Sequence, residues 1–155
     1  MSGSLVFGVD TQTNNGLAGA QIFTVDPNYG YITSVFNGHA LTASDIDSGS
    51  NGLYFSSAIT NCTLYPYFYC PAATQTYSTV IQGMNTAQAS IAFSVANTNT
   101  LFANGNATFT AFNDLAGSSS STTFDWGLPF FLGRNVFVVR EGENVGGSTD
   151  PFVAF

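Results

Sequence analysis

The sequence predicts an all-β fold built from many short strands, and three observations support this prediction. In the segment ASIAFSVAN (89–97), Ile91, Phe93 and Val95 fall on one face, with small residues between them. Such alternation is typical of a half-buried strand. Turn-forming residues separate the apolar runs, and the dipeptide Asn37-Gly38 is a strong hairpin signal. No window of the sequence shows the helical period of about 3.6 residues in its apolar positions.

Each predicted strand is a short run rich in aromatic and β-branched residues, bounded by turn residues. A further strand is expected to begin near Leu53, and a serine-rich surface loop is expected at 115–124. Only SSAIT (56–60) and LPFF (128–131) are predicted to form single helical turns. In chain order, the predicted strands are 4–9, 20–25, 31–36, 39–46, 89–97, 107–112, 136–141 and 151–155.

Composition predicts one domain over residues 1–155, because 45% of the residues are hydrophobic and supply a core. The net charge is −7, lysine is absent, and Arg134 and Arg140 are the only Lys or Arg residues. This acidic balance argues against nucleic acid and against an anionic membrane surface as partners. The chain has no apolar run long enough for a membrane span.

Cys62 and Cys70 are the only cysteines, and a local disulfide between them is predicted. Two buried free thiols are the alternative. A zinc site is not expected, since no histidine lies nearby, and no metal or cofactor is predicted. A disulfide implies an oxidising compartment, so the protein is expected to be exported to the periplasm or the extracellular space. The chain shows no signal peptide, and export is expected to depend on a signal outside it.

The segment ASDIDSGSNGLYF (43–55) raises the question of what Asp47 does. A plain hairpin turn is one interpretation of the sequence D-S-G-S. The other is a catalytic carboxylate, which a glycine-containing turn pushes out of the sheet. In that case Ser48 and Ser50 supply hydroxyl groups that fix the geometry of the carboxylate.

Other sites fit the sequence poorly. A Ser-His-Asp triad would need His39, the only histidine, which follows a predicted hairpin turn. A calcium loop is improbable, because Gly49 occupies its fifth position and Ser56 stands where a bidentate Glu belongs. The aromatic run at 64–69 is expected to pack over the disulfide loop. Its alternative role is an exposed ledge that binds sugar or peptide.

The later segment TFDWGLPFFLGRNVFVVREG (123–142) favours the catalytic interpretation. An apolar strand leading into D-[ST]-G-[ST], then an apolar-apolar-Gly segment, a helical turn and a final hairpin resembles the aspartic peptidases. More closely, all 155 residues resemble the C-terminal lobe of an uncharacterised family of exported, pepsin-like bacterial proteins. The motifs are SGSLVFGVDTQTNN at the start, IDSGSNGLYF, YCPA, FSVAN, FDWGLPFFLGRNVF and a closing PFVAF. The resemblance implies a pepsin/retropepsin-like lobe of orthogonally packed antiparallel sheets with one or two short helical turns.

The resemblance also implies roles in the D-S-G-S segment. Asp47 matches the catalytic aspartate. Ser48 matches the hydroxyl that ties two active-site loops together, and Gly49 permits the tight turn. Ser50 matches the hydroxyl that hydrogen-bonds the outer oxygen of the aspartate.

The apolar-apolar-Gly segment, which crosses beneath the loop in the family, fits this sequence in two registers. One register uses Trp126 and Gly127, and the other uses Leu132 and Gly133. The first register also brings Asp125 near the site, where the family has an apolar residue. The sequence leaves the choice between the two registers open.

Aspartic-peptidase chemistry needs two carboxylates that share one proton. The chain has a single D-[ST]-G-[ST] segment, so Asp47 is expected to lack a partner and the isolated monomer is expected to be inactive. The resemblance therefore implies that a second copy or a complementary N-terminal lobe completes the site, with a peptide as substrate. The alternative is a non-catalytic extracellular β-rich module, structural, self-assembling or binding, that retains the fold.

Overall fold

A computed structural model describes residues 3–103 and 112–155. These residues form ten strands and two short helices, so the all-β prediction is confirmed. Neither helix within the described ranges has the length and apolar character needed to cross a membrane. In chain order the elements are β1 (Ile22–Thr24), β2 (Ile32–Phe36), β3 (His39–Ile46), β4 (Leu53–Phe55), β5 (Gln75–Gln82), β6 (Gln88–Val95), α1 (Thr98–Ala103), β7 (Ala116–Gly117), β8 (Phe124–Trp126), α2 (Leu128–Phe131), β9 (Phe137–Val139) and β10 (Phe152–Ala154).

The strands form two sheets. A seven-stranded mixed sheet has the order β6-β5-β2-β3-β8-β4-β7, and a three-stranded antiparallel sheet has the order β1-β10-β9. The prediction of purely antiparallel sheets is wrong, because β3 pairs in parallel with β8, and β4 pairs in parallel with β7. Parallel neighbours need a long connection, and the chain between these strands supplies one.

A bulge redirects β3 from one neighbour to another. The first part of β3 pairs with β2, and the register shifts between Ile32 and Ser34. Ser44 is fully buried at this point, and its hydroxyl donates to the Leu41 carbonyl at 2.8 Å. The same hydroxyl accepts the Phe124 amide at 3.2 Å. Since a bulge bends its strand, the end of β3 turns toward β8.

Strand β8 lies between β3 and β4, although β3 and β4 follow one another in the chain. Asp45 pairs with Asp125 in parallel, and Leu53 pairs with Trp126 in antiparallel register. The connection at 47–52 therefore passes over the end of β8. This threading determines which residues lie beneath the D-S-G-S segment.

An aromatic core supports β8. Trp126 is 1% exposed and stacks on Phe124, with ring centroids 4.1 Å apart. Phe124 stacks in turn on Phe55 at 4.8 Å, and Phe93 meets Trp126 edge to face at 5.9 Å. The indole N–H of Trp126 donates to Ser34 Oγ at 2.9 Å, so this buried donor is satisfied.

Cys62 and Cys70 form the predicted disulfide. On the loop-entropy model, a closed loop of this size contributes about 2–3 kcal/mol to stability. Beside the disulfide, Tyr69 is buried, and its hydroxyl donates to the carbonyl of Phe55 on β4. The disulfide loop is thereby attached to the mixed sheet.

Most of the predicted strands are present, often one to three residues shorter than expected. The hairpin at Asn37-Gly38 joins β2 to β3, and LPFF forms α2. The predicted strand at 4–9 is wrong: this segment is irregular, and Leu5 and Phe7 are 83% and 87% exposed. An apolar run becomes a strand only when another strand pairs with it, and among residues 3–103 and 112–155 no strand pairs with this segment.

Two further predictions differ from the structure or lie outside it. SSAIT (56–60) forms no helical turn, whereas β5, β7, β8 and α1 were not predicted, and β7 lies within the predicted surface loop at 115–124. The predicted strand at 107–112 lies outside the described residues except for Phe112.

Replacing Trp126 with Ala is expected to lower the free energy of unfolding by roughly 3–5 kcal/mol, because it removes buried aromatic contacts and leaves a cavity. Urea unfolding measures the change. The matched control is Tyr29→Ala, which removes an aromatic side chain that is 74% exposed and should cost less than about 0.5 kcal/mol. Equal losses in the two variants would contradict a supporting role for Trp126.

Candidate functional site

The candidate site is the turn Asp47-Ser48-Gly49-Ser50 between β3 and β4. The Ser50 amide donates to the Asp47 carbonyl at 3.3 Å, which closes the turn. The Gly49 amide donates to Asp47 Oδ1 at 2.7 Å, and the Ser50 hydroxyl lies 3.0 Å from Asp47 Oδ2. Each oxygen of the half-buried Asp47 carboxylate thus has a donor, and its orientation is fixed.

Two backbone hydrogen bonds attach this turn to the segment beneath it. The Asp47 amide donates to the Trp126 carbonyl at 3.1 Å. The Leu128 amide donates to the Ser50 carbonyl at 2.7 Å. The two bonds lie on either side of one residue, Gly127, and hold both ends of the turn.

Gly127 approaches the turn too closely to carry a side chain. A Cβ there would lie 2.1 Å from the Gly52 carbonyl oxygen and 2.6 Å from that of Ser50. By contrast, Gly133 has φ +75°, and an added Cβ would meet nothing within 4 Å. Leu132 caps the C-terminus of α2. The structure therefore brings Trp126 and Gly127 to the turn, whereas Leu132 and Gly133 lie beyond α2.

Two further carboxylates lie beside Asp47. One oxygen each from Asp45, Asp47 and Asp125 lies within 4.8 Å of the other two. The register of β3 and β8 causes this, because it places Asp45 opposite Asp125. Asp125 Oδ2 is also 2.6 Å from the Ser50 hydroxyl oxygen. Asp125 thus lies beside the turn, as the register through Trp126 and Gly127 implies.

Burial is the main cause that raises the pKa of Asp125 to about 6. The Ser50 hydrogen bond lowers this pKa, whereas the charges of Asp45 and Asp47 raise it. Within the described residues, the buried Oδ1 of Asp125 has no hydrogen-bond partner. Burial also raises the pKa of Asp45, and the charge of Asp47 adds to this effect.

The carboxylates do not by themselves indicate a metal centre. Both oxygens of Asp47 and one oxygen of Asp125 already lie within hydrogen-bond distance of the Gly49 amide or the Ser50 hydroxyl. Exposed or half-buried acidic groups are often close together without an ion. We therefore assign no cation to this site.

Other side chains named from the sequence are exposed or contact groups other than these acids. Ser48 is exposed at the tip of the turn, and His39 is exposed in the β2–β3 hairpin. The Arg134 guanidinium donates to the Phe130 carbonyl and lies 4.2 Å from the centroid of the Phe130 ring. Arg134 thus contacts an aromatic ring rather than a carboxylate.

The aromatic run at 64–69 is divided. Tyr69 is buried, as expected for packing over the disulfide loop. Leu64 and Tyr67 are 74% and 76% exposed, so the expected packing over the disulfide loop holds for only part of the run. Residues 64–67 are all exposed, and this exposed stretch is the candidate ledge.

A family model described as a protein of unknown function, DUF3443, matches residues 1–155. The chain belongs to this family. No curated protein and no solved structure matches the chain. The description of DUF3443 names no activity, so the chemistry of the Asp47 turn is argued from its own geometry.

Gly127→Ala in this DUF3443 chain is expected to lower the free energy of unfolding by more than about 2 kcal/mol, because the turn must move away from the new methyl group. Gly133→Ala is the matched control and should cost about 1 kcal/mol, since only its positive φ is unfavourable. Urea unfolding of both variants measures the difference. A larger loss at Gly133 would support the other register.

The pH dependence of stability is expected to reveal the raised pKa of Asp125. Its pKa is about 6 in the folded chain and 3.8 in the reference state. The contribution of the protonated Asp125 to the free energy of unfolding is therefore fully present below pH 3.8 and is lost as the pH rises through about 6. Asp125→Asn should therefore stabilise the chain at neutral pH, by about 1 kcal/mol after allowance for solvent screening. It should change stability little under acidic conditions.

Thermal unfolding of wild type and Asp125→Asn between about pH 4 and pH 7.5 measures this difference. Asp150→Asn, which neutralises an exposed acid, is the control and should run parallel to wild type. Parallel curves for wild type and Asp125→Asn would show that Asp125 does not retain its proton.

Proposed function

We propose that the chain is one half of an aspartic-peptidase-like active site, in which Asp47 is the carboxylate that acts on a peptide bond. One observation carries this proposal: β8 is threaded between β3 and β4, with Gly127 directly beneath the Asp47 turn. The aspartic-peptidase resemblance implies this pairing of a D-[ST]-G-[ST] turn with an apolar-apolar-Gly segment beneath it. The proposed fold is accordingly a pepsin/retropepsin-like lobe.

The geometry of Asp47 suits a base toward water. The Gly49 amide and the Ser50 hydroxyl orient its carboxylate, and the side chain is only half-buried at the tip of a turn. In the proposed reaction the ionised carboxylate accepts a proton from water, and the water oxygen forms a bond to the peptide carbonyl carbon. A second, protonated carboxyl group gives its proton to the carbonyl oxygen. The carbon–nitrogen bond then breaks as the leaving amine takes the proton that Asp47 accepted, and a hydroxyl of the tetrahedral intermediate returns a proton to the second carboxylate.

Asp125 is poorly suited to be that second carboxyl group. Its Oδ1 is buried, and its Oδ2 is engaged with the Ser50 hydroxyl, so neither oxygen faces an incoming peptide. The proposal therefore requires an aspartate from a second copy or from a complementary N-terminal lobe. Ser48 and Gly49 are exposed at the tip of the turn and are the first residues such a partner would meet.

The disulfide favours an oxidising compartment for this function. Cys62 and Cys70 are joined, and such bonds persist mainly in exported proteins. We therefore extend the proposal to action in the periplasm or outside the cell.

A second candidate function is a non-catalytic binding module. The exposed Leu64 and Tyr67 favour it, because large apolar side chains exposed near one another in the chain are typical of a surface that contacts a ligand or another protein. This function would use the ledge and would leave Asp47 without a chemical role. Replacement of Asp47 would then change no binding property of the chain.

Proteolysis of an unfolded protein substrate tests the leading proposal. Wild type and Asp47→Asn are incubated with the substrate from about pH 3 to pH 7, over a range of chain concentrations. Cleavage should be strongest at acidic pH and should rise more steeply than linearly with concentration, in parallel with dimer formation in sedimentation. Asp47→Asn should lower the rate by about a hundredfold or more, because the base is lost.

Asp150→Asn, the same change at an exposed position outside the turn, is the control and should retain the wild-type rate. Cleavage that survives Asp47→Asn, or a rate strictly proportional to the concentration of monomer, would contradict the half-site. Inactivity of the dimeric chain at every pH would favour the binding module.

A further inference from the structure

The Ser50 hydroxyl lies between two carboxylates and has one proton to donate. Its oxygen is 3.0 Å from Asp47 Oδ2 and 2.6 Å from Asp125 Oδ2. Both distances are those of hydrogen bonds, yet one O–H group cannot make two well-aligned donations. Both short contacts are hydrogen bonds when one of the two carboxyl groups is protonated and donates to the Ser50 oxygen, while the Ser50 hydroxyl donates to the other carboxylate.

The surroundings indicate which carboxyl group carries that proton. Asp47 Oδ1 accepts the Gly49 amide, so an ionised Asp47 retains a donor on each oxygen. Asp125 has a buried Oδ1 without a partner in the described part of the chain, and an ionised carboxylate is costly in that position. Asp125 is therefore the better site for the proton.

The groups that face Asp125 add to this preference. Asp45 lies opposite it on β3, Asp47 lies in the turn above, and Tyr54 lies opposite it on β4. The charges of Asp45 and Asp47 oppose a negative charge on Asp125, and the Tyr54 phenol is neutral at the pH at which carboxyl groups ionise. The charge of Asp125 in turn contributes to a raised pKa of Tyr54, after the larger effect of burial. No cation belongs to this set of facing groups.

We propose that Asp125 is a positioning residue that acts through Ser50: the protonated Asp125 carboxyl donates to Ser50 Oγ, and the Ser50 hydroxyl then donates to Asp47 Oδ2. When Asp125 releases its proton to solvent, the hydroxyl turns to the nearer Asp125 oxygen and leaves Asp47. The raised pKa of Asp125, about 6, puts this change at mildly acidic pH. The role that we give this relay is to hold Asp47 in place as a base at acidic pH, and in this respect the inference rests on the proposed function.

The relay can be tested without any assay of proteolysis. Carboxyl ¹³C resonances of the uniformly labelled full-length chain are followed by NMR across a pH titration. In wild type, Asp125 should titrate with a midpoint of about 6. The Asp47 carboxyl resonance and the Gly49 amide resonance should show an inflection at the same midpoint, because the Ser50 hydroxyl changes its acceptor there.

Two variants separate the relay from a simple effect of nearby charge. In Ser50→Ala, Asp125 still titrates, but the inflection of Asp47 at the Asp125 midpoint should be largely lost because no hydroxyl connects the two groups. In Asp125→Asn the inflection should also disappear, since the side-chain amide donates to Ser50 Oγ at every pH. Asp150→Asn should leave the inflection unchanged, and amide spectra verify that each variant is folded.

Three outcomes would overturn the inference: an Asp125 midpoint near that of an exposed aspartate, an Asp47 resonance without an inflection, or an inflection of undiminished size in Ser50→Ala. Each of them is independent of whether the chain cleaves peptides. An inactive chain with the expected NMR behaviour would therefore remove the proposed function and leave the relay in place. An active chain without that behaviour would do the reverse.

Where cleavage is measurable, the pH profile gives a second readout. Asp125→Asn should retain acidic activity and extend it toward neutral pH, because its donor does not ionise. Asp125→Leu also lacks the competing carboxylate but cannot donate to Ser50 Oγ to fix its hydroxyl, so it should be less active than Asp125→Asn at every pH. Equal profiles for the two variants would overturn a positioning role.

Discussion

The two backbone hydrogen bonds between the Asp47 turn and the residues on either side of Gly127 are the constraint on which the site depends. They form only because β8 lies between β3 and β4, and because Gly127 has no side chain to hold the turn away. The bulge in β3 and the aromatic rings stacked on Trp126 also contribute, because they place β3 and β8 beside one another at this position. Orientation of the acids is thus a property of the sheet and not of the turn alone.

The parts of the fold that the sequence predicted well are those with local causes. The hairpin at Asn37-Gly38 follows from turn chemistry, and β6 follows from alternation over consecutive residues. β5 was missed because its sequence, QTYSTVIQ, is largely polar, and pairing along its whole length with β6 makes it a strand. The segment at 4–9 is the opposite case. Its apolar run predicts a strand, but no strand among the described residues pairs with it.

The candidate site was predictable in its turn but not in its surroundings. The sequence D-S-G-S with its apolar flanks pointed to Asp47 and Ser50, and the hydrogen bonds between them are local. The choice between Gly127 and Gly133 depends on how closely two distant backbones approach, which no sequence pattern records. The neighbourhood of Asp45 and Asp125 likewise depends on the register of two strands that lie far apart in the chain.

The position of Arg134 over the Phe130 ring has a consequence for the field around the site. The chain has two Lys or Arg residues against nine Asp or Glu residues, and Arg134 contacts an aromatic ring instead of neutralising an acid. Two copies that met through the Asp47 face would bring like charges together within the Debye length of about 8 Å at physiological salt. Proton uptake by the carboxyl groups reduces that repulsion, so acidity would favour assembly of the pair as well as its chemistry.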